Sequence, residues 1–455
     1  MTSGVDVGPA VQQPRERRGR NRTSTAPTLE ELAERGRLPV PGAPALNLSE
    51  APVPEQRLVV DTSSTGPSAQ SLRIAMLGTR GVPAKYGGFE TAVEEVGRRL
   101  VSRGHAVTVY CRSTPGPRLL QHLGMQLVHL PAVRKKMLET LSHTGASAAH
   151  DLFAQRQDVA LVFNAGNAPF VPLLKARGIP VATHMDGLEW QRSKWGGAGR
   201  NYYRCAESVA VRWSDALIAD AQGIADYYRD QFDAQTVLIP YGAPILRAPS
   251  SDRLAELGVE PGRFHVMVAR FEPENHVALA ITGYLRSGAT LPLLVVGSAP
   301  YADEYTARVR ALADSDPRVR LLGAVWDQDR LDQLYAHALT YLHGHSVGGT
   351  NPSLLRAIGA ATAPLAYDVG FNREVVGDDG RFWGDPDQLA RLLEQAEAEP
   401  EQVRLRGLRL QQHAERHYRW DDVADRYERL CLDLAEGTPL RNNAAGRRSR
   451  SAGRR

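Results

Sequence analysis

Apolar positions along the chain fall into short continuous runs separated by stretches in which they recur every three or four residues. The first run, L-R-I-A-M-L-G-T at Leu72–Thr79, predicts a buried strand. A loop follows, R-G-V-P-A-K-Y-G-G at Arg80–Gly88. Ala92, Val93, Val96, Leu100 and Val101 then fall at helical spacing over Phe89–Arg103. Ala106–Cys111 predicts a second strand, which makes a βαβ half of a doubly wound sheet. Further strands are expected at Gln126–Leu130, Val159–Asn164, Pro180–Thr183, Ala216–Ala219 and Thr236–Pro240, with helices at Tyr202–Trp213 and Gly223–Phe232.

Tyr241–Pro261 is polar and holds Gly242, Pro244 and Pro249, which suits a hinge. The pattern then restarts. Strands are expected at Phe264–Ala269, Leu291–Val296, Val319–Leu322, Leu339–Leu342 and Pro364–Tyr367. Helices are expected at His276–Tyr284, Glu304–Ala313, Asp329–Ala338 and Asn351–Ala361, and Asp387–Glu436 reads as helical. βα units broken by a hinge and then resumed imply an α/β fold of two Rossmann-like domains facing across a cleft. The expected boundaries are 71–245, 246–400 and a helical segment 401–436 long enough to cross back, with tails at 1–70 and 437–455.

Composition changes the picture at the ends. The net charge is +4, but Arg441, Arg447, Arg448, Arg450, Arg454 and Arg455 lie after Glu436 with no acid; without them it becomes −2. A second basic cluster spans Arg15–Arg22. Residues 1–70 are rich in Pro, Ser, Thr, Gly and Ala and read as disordered apart from a helical candidate at Thr28–Arg35. Basic tails suit anionic lipid or nucleic acid, and the alternative is plain solvation with no specific partner. No basic stripe interleaved with aromatics suggests nucleic-acid readout. Cys111, Cys205 and Cys431 are few, odd in number and far apart, with no zinc spacing or disulfide framework, which favours a reducing cytosol. No apolar run reaches the length of a membrane span, and no signal-peptide core is expected.

Candidate chemistry gathers after strands. V-G-G-T-N-P-S-L-L-R-A at Val347–Ala357 follows one strand and opens a helix. Its glycines admit a close ligand, Pro352 suits the first helical turn, and unpaired amides around Thr350, Asn351 and Ser353 are expected to form an anion site, diphosphate above all. Gly87 and Gly88 stand at another helix start, facing a phosphate or a sugar. The loop is not G-x-G-x-x-G, which argues against a nicotinamide or flavin enzyme. H-M-D-G-L-E-W-Q-R-S-K-W at His184–Trp195 follows the carboxyl end of a strand, where open α/β sheets bind ligands. His184 and Asp186 are candidate general bases or sugar-hydroxyl partners, and Arg192 and Lys194 face an anionic acceptor or are simply solvated.

These stretches resemble the retaining glycosyltransferases of the GT-B fold, family 4, and more narrowly a rhamnosyltransferase-like bacterial subgroup. The likeness rests on G-T-R-G-V-P-A-K-Y-G-G-F-E-T at 78–91, D-G-L-E-W-Q-R-S-K-W at 186–195, V-A-R-F-E-P-E-N at 268–275, H-S-V-G-G-T-N-P-S-L-L at 345–355, F-N-R-E-V at 371–375 and H-Y-R-W-D-D-V-A at 417–424. It implies metal-independent hexosyl transfer from a nucleotide-diphosphate sugar to a saccharide or lipid-linked saccharide, with no cofactor beyond the donor. The acceptor would sit in the first domain and the donor in the second. Gly87 and Gly88 match the loop over the donor phosphate and sugar. His184 or Asp186 matches the loop at the transferred sugar and acceptor, Arg270 the arginine on the diphosphate, and Gly349, Thr350 and Asn351 the helix-start donor loop. Retention would come from front-face attack, with the leaving phosphate taking the acceptor proton and no protein nucleophile. A cytoplasmic enzyme of polysaccharide biosynthesis is implied, peripheral to the inner membrane face if its tails touch lipid.

The chain departs from the family at three donor-site positions. Asn275 stands where many members carry a lysine, and Gly348 and Arg356 stand where many carry two glutamates eight positions apart. Arg356 departs from the subgroup as well. The usual glutamate accepts hydrogen bonds from the donor ribose, and arginine has no acceptor. The loss of a charge-assisted hydrogen bond costs about 1.5–3 kcal/mol, roughly ten- to a hundredfold in donor affinity. An alternative is therefore a non-catalytic homologue that binds a glycan or a partner.

Overall fold

The computed structural model of the chain describes residues 70–84, 87–113, 118–133, 138–298 and 303–438. The helical candidate Thr28–Arg35, both basic clusters, and Lys85 and Tyr86 of the first loop lie outside the described residues.

The first sheet has eight strands: β1 (Arg73–Leu77), β2 (Ala106–Arg112), β3 (Gln121–His122), β4 (Met125–Leu130), β5 (Val159–Phe163), β6 (Val181–His184), β7 (Ala216–Ala219) and β8 (Val237–Leu238). Their order is β3-β4-β2-β1-β5-β6-β7-β8, parallel except for the β3–β4 hairpin. Its helices are α1 (Gly88–Ser102), α2 (Glu139–Phe153), α3 (Val171–Ala176), α4 (Gly197–Trp213) and α5 (Gln222–Phe232). Both faces of the sheet are covered, which is why β1, β5 and β7 are apolar without alternation.

The second sheet has six parallel strands: β9 (His265–Val268), β10 (Leu293–Val296), β11 (Val319–Gly323), β12 (Thr340–His343), β13 (Ala363–Tyr367) and β14 (Arg381–Trp383). Their order is β11-β10-β9-β12-β13-β14. Its helices are α6 (Val277–Arg286), α7 (Asp303–Asp314), α8 (Gln328–His337), α9 (Pro352–Gly359) and α10 (Gly370–Val376). The expected C-terminal helical segment is three helices: α11 (Pro386–Ala398), α12 (Pro400–His417) and α13 (Trp420–Ala435). Pro400 sits in the first turn of α12, where its missing N–H costs nothing and the preceding helix ends.

The last helix does cross back. Arg99 on α1 pairs with Asp421 on α13 at 2.7 Å, Arg103 with Glu428 at 2.7 Å, and His105 meets the same Glu428 at 2.9 Å. Trp420 packs on Gly242, where a side chain would collide with the indole, and the Ala243 amide donates to the Tyr418 carbonyl at 2.7 Å. The segment leaving the first domain is thus pinned at the start of α13.

Each sheet reverses its strand order once, between β1 and β5 and between β9 and β12. Ligands in open α/β sheets bind beyond the carboxyl ends of strands at such a switch point. The loops after β1, β6, β7, β9 and β12 all leave from carboxyl ends, and they carry the candidate site residues except His184, which ends β6, Gly88, which opens α1, and Arg356 on α9.

Candidate active site

The loops of the two domains touch. A methyl group on Gly88 would come within 2.8 Å of Pro352 Cγ, so the start of α1 abuts the start of α9. One on Gly187 would overlap the Gly348 backbone, reaching its carbonyl carbon at 2.7 Å. One on Gly349 would overlap the Asp220 carboxylate. Gly87, Gly88, Gly348, Gly349, Thr350 and Asn351 are therefore brought to one place, with Asp186 and its neighbours beside them.

The two helix starts differ. Gly87 sits at φ 109°, conformational space that side chains avoid, and no side chain caps α1 there. Glu90 folds back instead: its carboxylate accepts from the Arg80 amide at 3.1 Å, and burial raises its pKa. At α9, Asn351 is a side-chain cap that accepts from the Ser353 amide at 2.9 Å and from the Ser353 hydroxyl at 2.6 Å. The expectation of unpaired amides at Thr350, Asn351 and Ser353 is corrected at Ser353 and at Thr350, whose amide meets the Asp220 carboxyl. An asparagine at the N-cap position satisfies its own helix start.

His184 ends β6 and is 1% exposed. Its ring stacks between Phe163 and Tyr241, each at 5.8 Å, with Phe89 edge-on at 5.2 Å. Burial among these rings pushes its pKa down to about 3, so the imidazole is neutral at physiological pH. Nδ1 receives the Asp186 amide at 3.3 Å, and Nε2 has no partner among the described residues. Asp186 follows at φ 60°, a strained conformation that loops at functional sites retain. The Asn164 side chain donates to it at 3.3 Å. Burial and the nearby Glu189 push its pKa up to about 6, against the pull of Arg192 and Lys194.

Arg192 and Lys194 are not free to meet an acceptor. Arg192 pairs with Glu189 at 2.5 Å and Lys194 pairs with it at 2.6 Å. Burial works against the Glu189 carboxylate, but the two cations outweigh it and hold its pKa low. Arg192 also reaches the second domain, with Glu272 at 4.0 Å and Glu274 at 3.9 Å, while Ser193 donates to Glu274 at 2.7 Å. The expected solvated or acceptor-facing pair is instead an ion network across the cleft.

Arg270 leaves β9 beside Glu272 at 3.4 Å and is the more exposed partner, its side chain 37% accessible. Asn275 is buried, donates to the Arg270 carbonyl at 2.9 Å, and leaves its Oδ1 without a partner among the described residues. It supports the backbone that carries Arg270. Arg356 forms an ion pair with Asp332 of α8. Among the described residues no group of three His, Cys, Asp or Glu side chains is arranged to hold a metal ion.

Sequence reasoning did not single out Asp220. It follows β7, is 1% exposed, and its carbonyl accepts from the Thr350 hydroxyl across the cleft. Nor did it single out Glu374 on α10, which accepts from the Gln222 amide at 3.0 Å through both oxygens.

This architecture of two facing parallel sheets with a returning C-terminal helix is the GT-B fold. Residues 87–242 match the glycosyl transferase 4-like domain and residues 254–407 match the glycosyl transferases group 1. Together the two matches take in most of the chain, which belongs to the GT-B glycosyltransferases. Solved structures share the fold. Sucrose-phosphate synthase from Thermosynechococcus elongatus is 19% identical, with TM-score 0.71 over 80% of this chain and 100% of that one. Anabaena HepE, solved with UDP-glucose, is 15% identical with TM-score 0.63 over 80% and 99%. A glycosyltransferase from Rickettsia africae is 13% identical with TM-score 0.61 over 80% and 98%. No curated protein sequence matches the chain.

Proposed function

We propose that the chain transfers a hexosyl group from a nucleotide-diphosphate sugar to a saccharide or lipid-linked saccharide, with retention and without a metal ion. Rhamnose is the first sugar to test, and a uridine or deoxythymidine diphosphate the first leaving group. One observation carries the reading: the uncapped start of α1 and the glycine loop before α9 meet at a single point, and the Arg270 charge acts on His345, which precedes that loop. HepE's UDP-glucose complex supports a nucleotide-sugar donor.

The chemistry follows from charge. As the bond from the sugar carbon to the phosphate oxygen breaks, negative charge grows on the diphosphate. Helix-start amides and a guanidinium fixed nearby stabilise that state more than the ground state. The acceptor hydroxyl attacks the same face, its oxygen bonds to the sugar carbon, and its proton passes to the leaving phosphate oxygen. Asp186 receives a sugar hydroxyl, and neutral His184, whose Nδ1 accepts the Asp186 amide, holds that loop in place and offers its Nε2–H as a donor.

The test is transfer from purified donors to saccharide acceptors, with the product anomer read by nuclear magnetic resonance and the reaction repeated in chelator. An inverted product, or turnover that chelator abolishes and a divalent ion restores, removes the corresponding part of the proposal.

A second reading has its own observation. Arg356 replaces a ribose acceptor and is tied to Asp332, so it cannot accept from a ribose. A glycan- or partner-binding protein that has lost donor chemistry would show no turnover in the wild type and gain donor binding with R356E. Robust wild-type turnover removes this reading.

A further inference from the structure

The glycine loop before α9 holds a carboxyl group that belongs to the other domain. Asp220 is delivered by the carboxyl end of β7 and lies against Gly349, where even a methyl group would not fit. The Thr350 hydroxyl donates to its carbonyl, and the Thr350 amide faces its carboxyl. The side chain is fully buried, and Oδ1 has no partner among the described residues. A buried carboxyl oxygen left unpaired is costly, and one aimed at a glycine loop on a helix start marks a place where a ligand completes the hydrogen bonding.

We propose that Asp220 is a donor-site residue, whose carboxyl gives the bound nucleotide-diphosphate sugar a hydrogen bond from the first domain at the loop that the second domain supplies. This inference rests on the donor reading above. An ionised carboxylate and a diphosphate cannot share the same amides, because both are anions and acceptors. A neutral carboxylic acid donates. Its surroundings favour that form. Burial comes first, and Asp186 on the loop after β6 and Glu374 on α10 add to it, all raising the pKa against the pull of the Asp220 and Thr350 amides. The phenols of Tyr241 and of Tyr427 on α13 also face it.

The experiment is calorimetric titration of the full chain with UDP-glucose, dTDP-rhamnose and GDP-mannose from pH 6 to pH 9. These diphosphate diesters do not titrate in that window. Whichever donor binds the wild type is then titrated into D220N and D220A, with thermal melts recorded for both. The proposal expects D220N, a neutral donor of the same shape, to keep the wild type's pH 6 affinity. D220A should bind roughly tenfold more weakly at pH 6. The proposal is overturned if D220A binds as tightly as wild type at pH 6. It is equally overturned if D220N, melting within a few degrees of wild type, binds as weakly as D220A. If no donor binds the wild type but one binds R356E, the donor reading fails for the native chain, and Asp220 is then tested in the R356E background by the same comparison.

Discussion

The two helix starts that meet in the cleft look alike in sequence and differ in what they leave open. Both are glycine pairs after a strand. At α1 the N-cap is Gly87, which contributes no side chain, and Glu90 turns its carboxylate to the Arg80 amide. At α9 the N-cap is Asn351, whose amide oxygen takes the Ser353 N–H, and Asp220 from the other domain covers Gly349. Both starts are partly satisfied by protein: at α1 the Glu90 carboxylate also takes its own amide and lies over Gly87, and at α9 the cap is Asn351 itself. Helix polarity alone does not make an anion site; the outcome depends on whether a local side chain reaches the amides first.

The largest expected effect tests which cation serves both starts. R270A should lower kcat/KM about a hundredfold, as expected when a preorganised donor to developing charge is removed. R192A should leave kcat/KM nearer wild type while lowering the melting temperature, since Arg192 is committed to Glu189, Glu272 and Glu274. The reverse pattern would exchange the roles assigned to the two arginines.

Next come the glycines. G349A places a methyl on the buried Asp220 carboxylate, which has no room to move, whereas G88A places one 2.8 Å from the Pro352 ring at a partly exposed site. Overpacking costs about 1–3 kcal/mol of stability, so both variants should melt lower than wild type, with G349A the more impaired and its donor KM the more raised. Equal effects in steady-state kinetics would erase the difference between the two starts.

A pH experiment separates the acid side of the cleft. The folded pKa of Asp186 is raised to about 6 from an ordinary value of 3.8, so its contribution to stability is fully present below about pH 4 and is lost as pH rises through 6. D186N removes that loss. Between pH 4 and pH 7 the melting temperature of the wild type should decline relative to that of D186N, while D186N activity is depressed throughout. Parallel melting profiles would contradict the burial argument.

The smallest effect is N351A. Removing the cap should cost about 1 kcal/mol of stability. It also frees the Ser353 amide, so donor affinity should fall less than stability suggests, or even rise. A large loss of affinity in calorimetry would show that Asn351 touches the donor itself.

Most strands were legible because a sheet covered on both faces demands apolar runs, as in V-A-L-V-F of β5 and L-L-V-V of β10. Helices α1, α6 and α8 announced themselves by periodicity. Helix α2 did not: its sequence E-T-L-S-H-T-G-A-S-A-A-H-D-L-F buries His143, Thr144, Ser147 and Asp151 rather than an apolar stripe. α10 and β14 were missed because they are too short for a period to show. In the site, glycine loops and the 186–195 charges stood out by composition. Asp220 did not, because a single acid after a strand carries no motif, and its partners Gly349 and Thr350 lie far along the chain. Arg192 and Lys194 were visible as charges, but their commitment to Glu189 and the opposite domain depends on distance, which spacing does not encode. The ion pair of Arg356 with Asp332 likewise joins two helices that the pattern placed but could not orient.

The central claim is that the two helix starts together hold a nucleotide-diphosphate sugar. It is tested most directly by a metal-free thermal-shift and calorimetry screen of the intact chain against a panel of such donors. Binding of one donor in the micromolar range, stabilising the fold by mass action and weakened in R270A, is the expected result. No binding of any donor to the wild type, with binding appearing in R356E, would contradict the account and mark the chain as a binding protein built on a transferase fold.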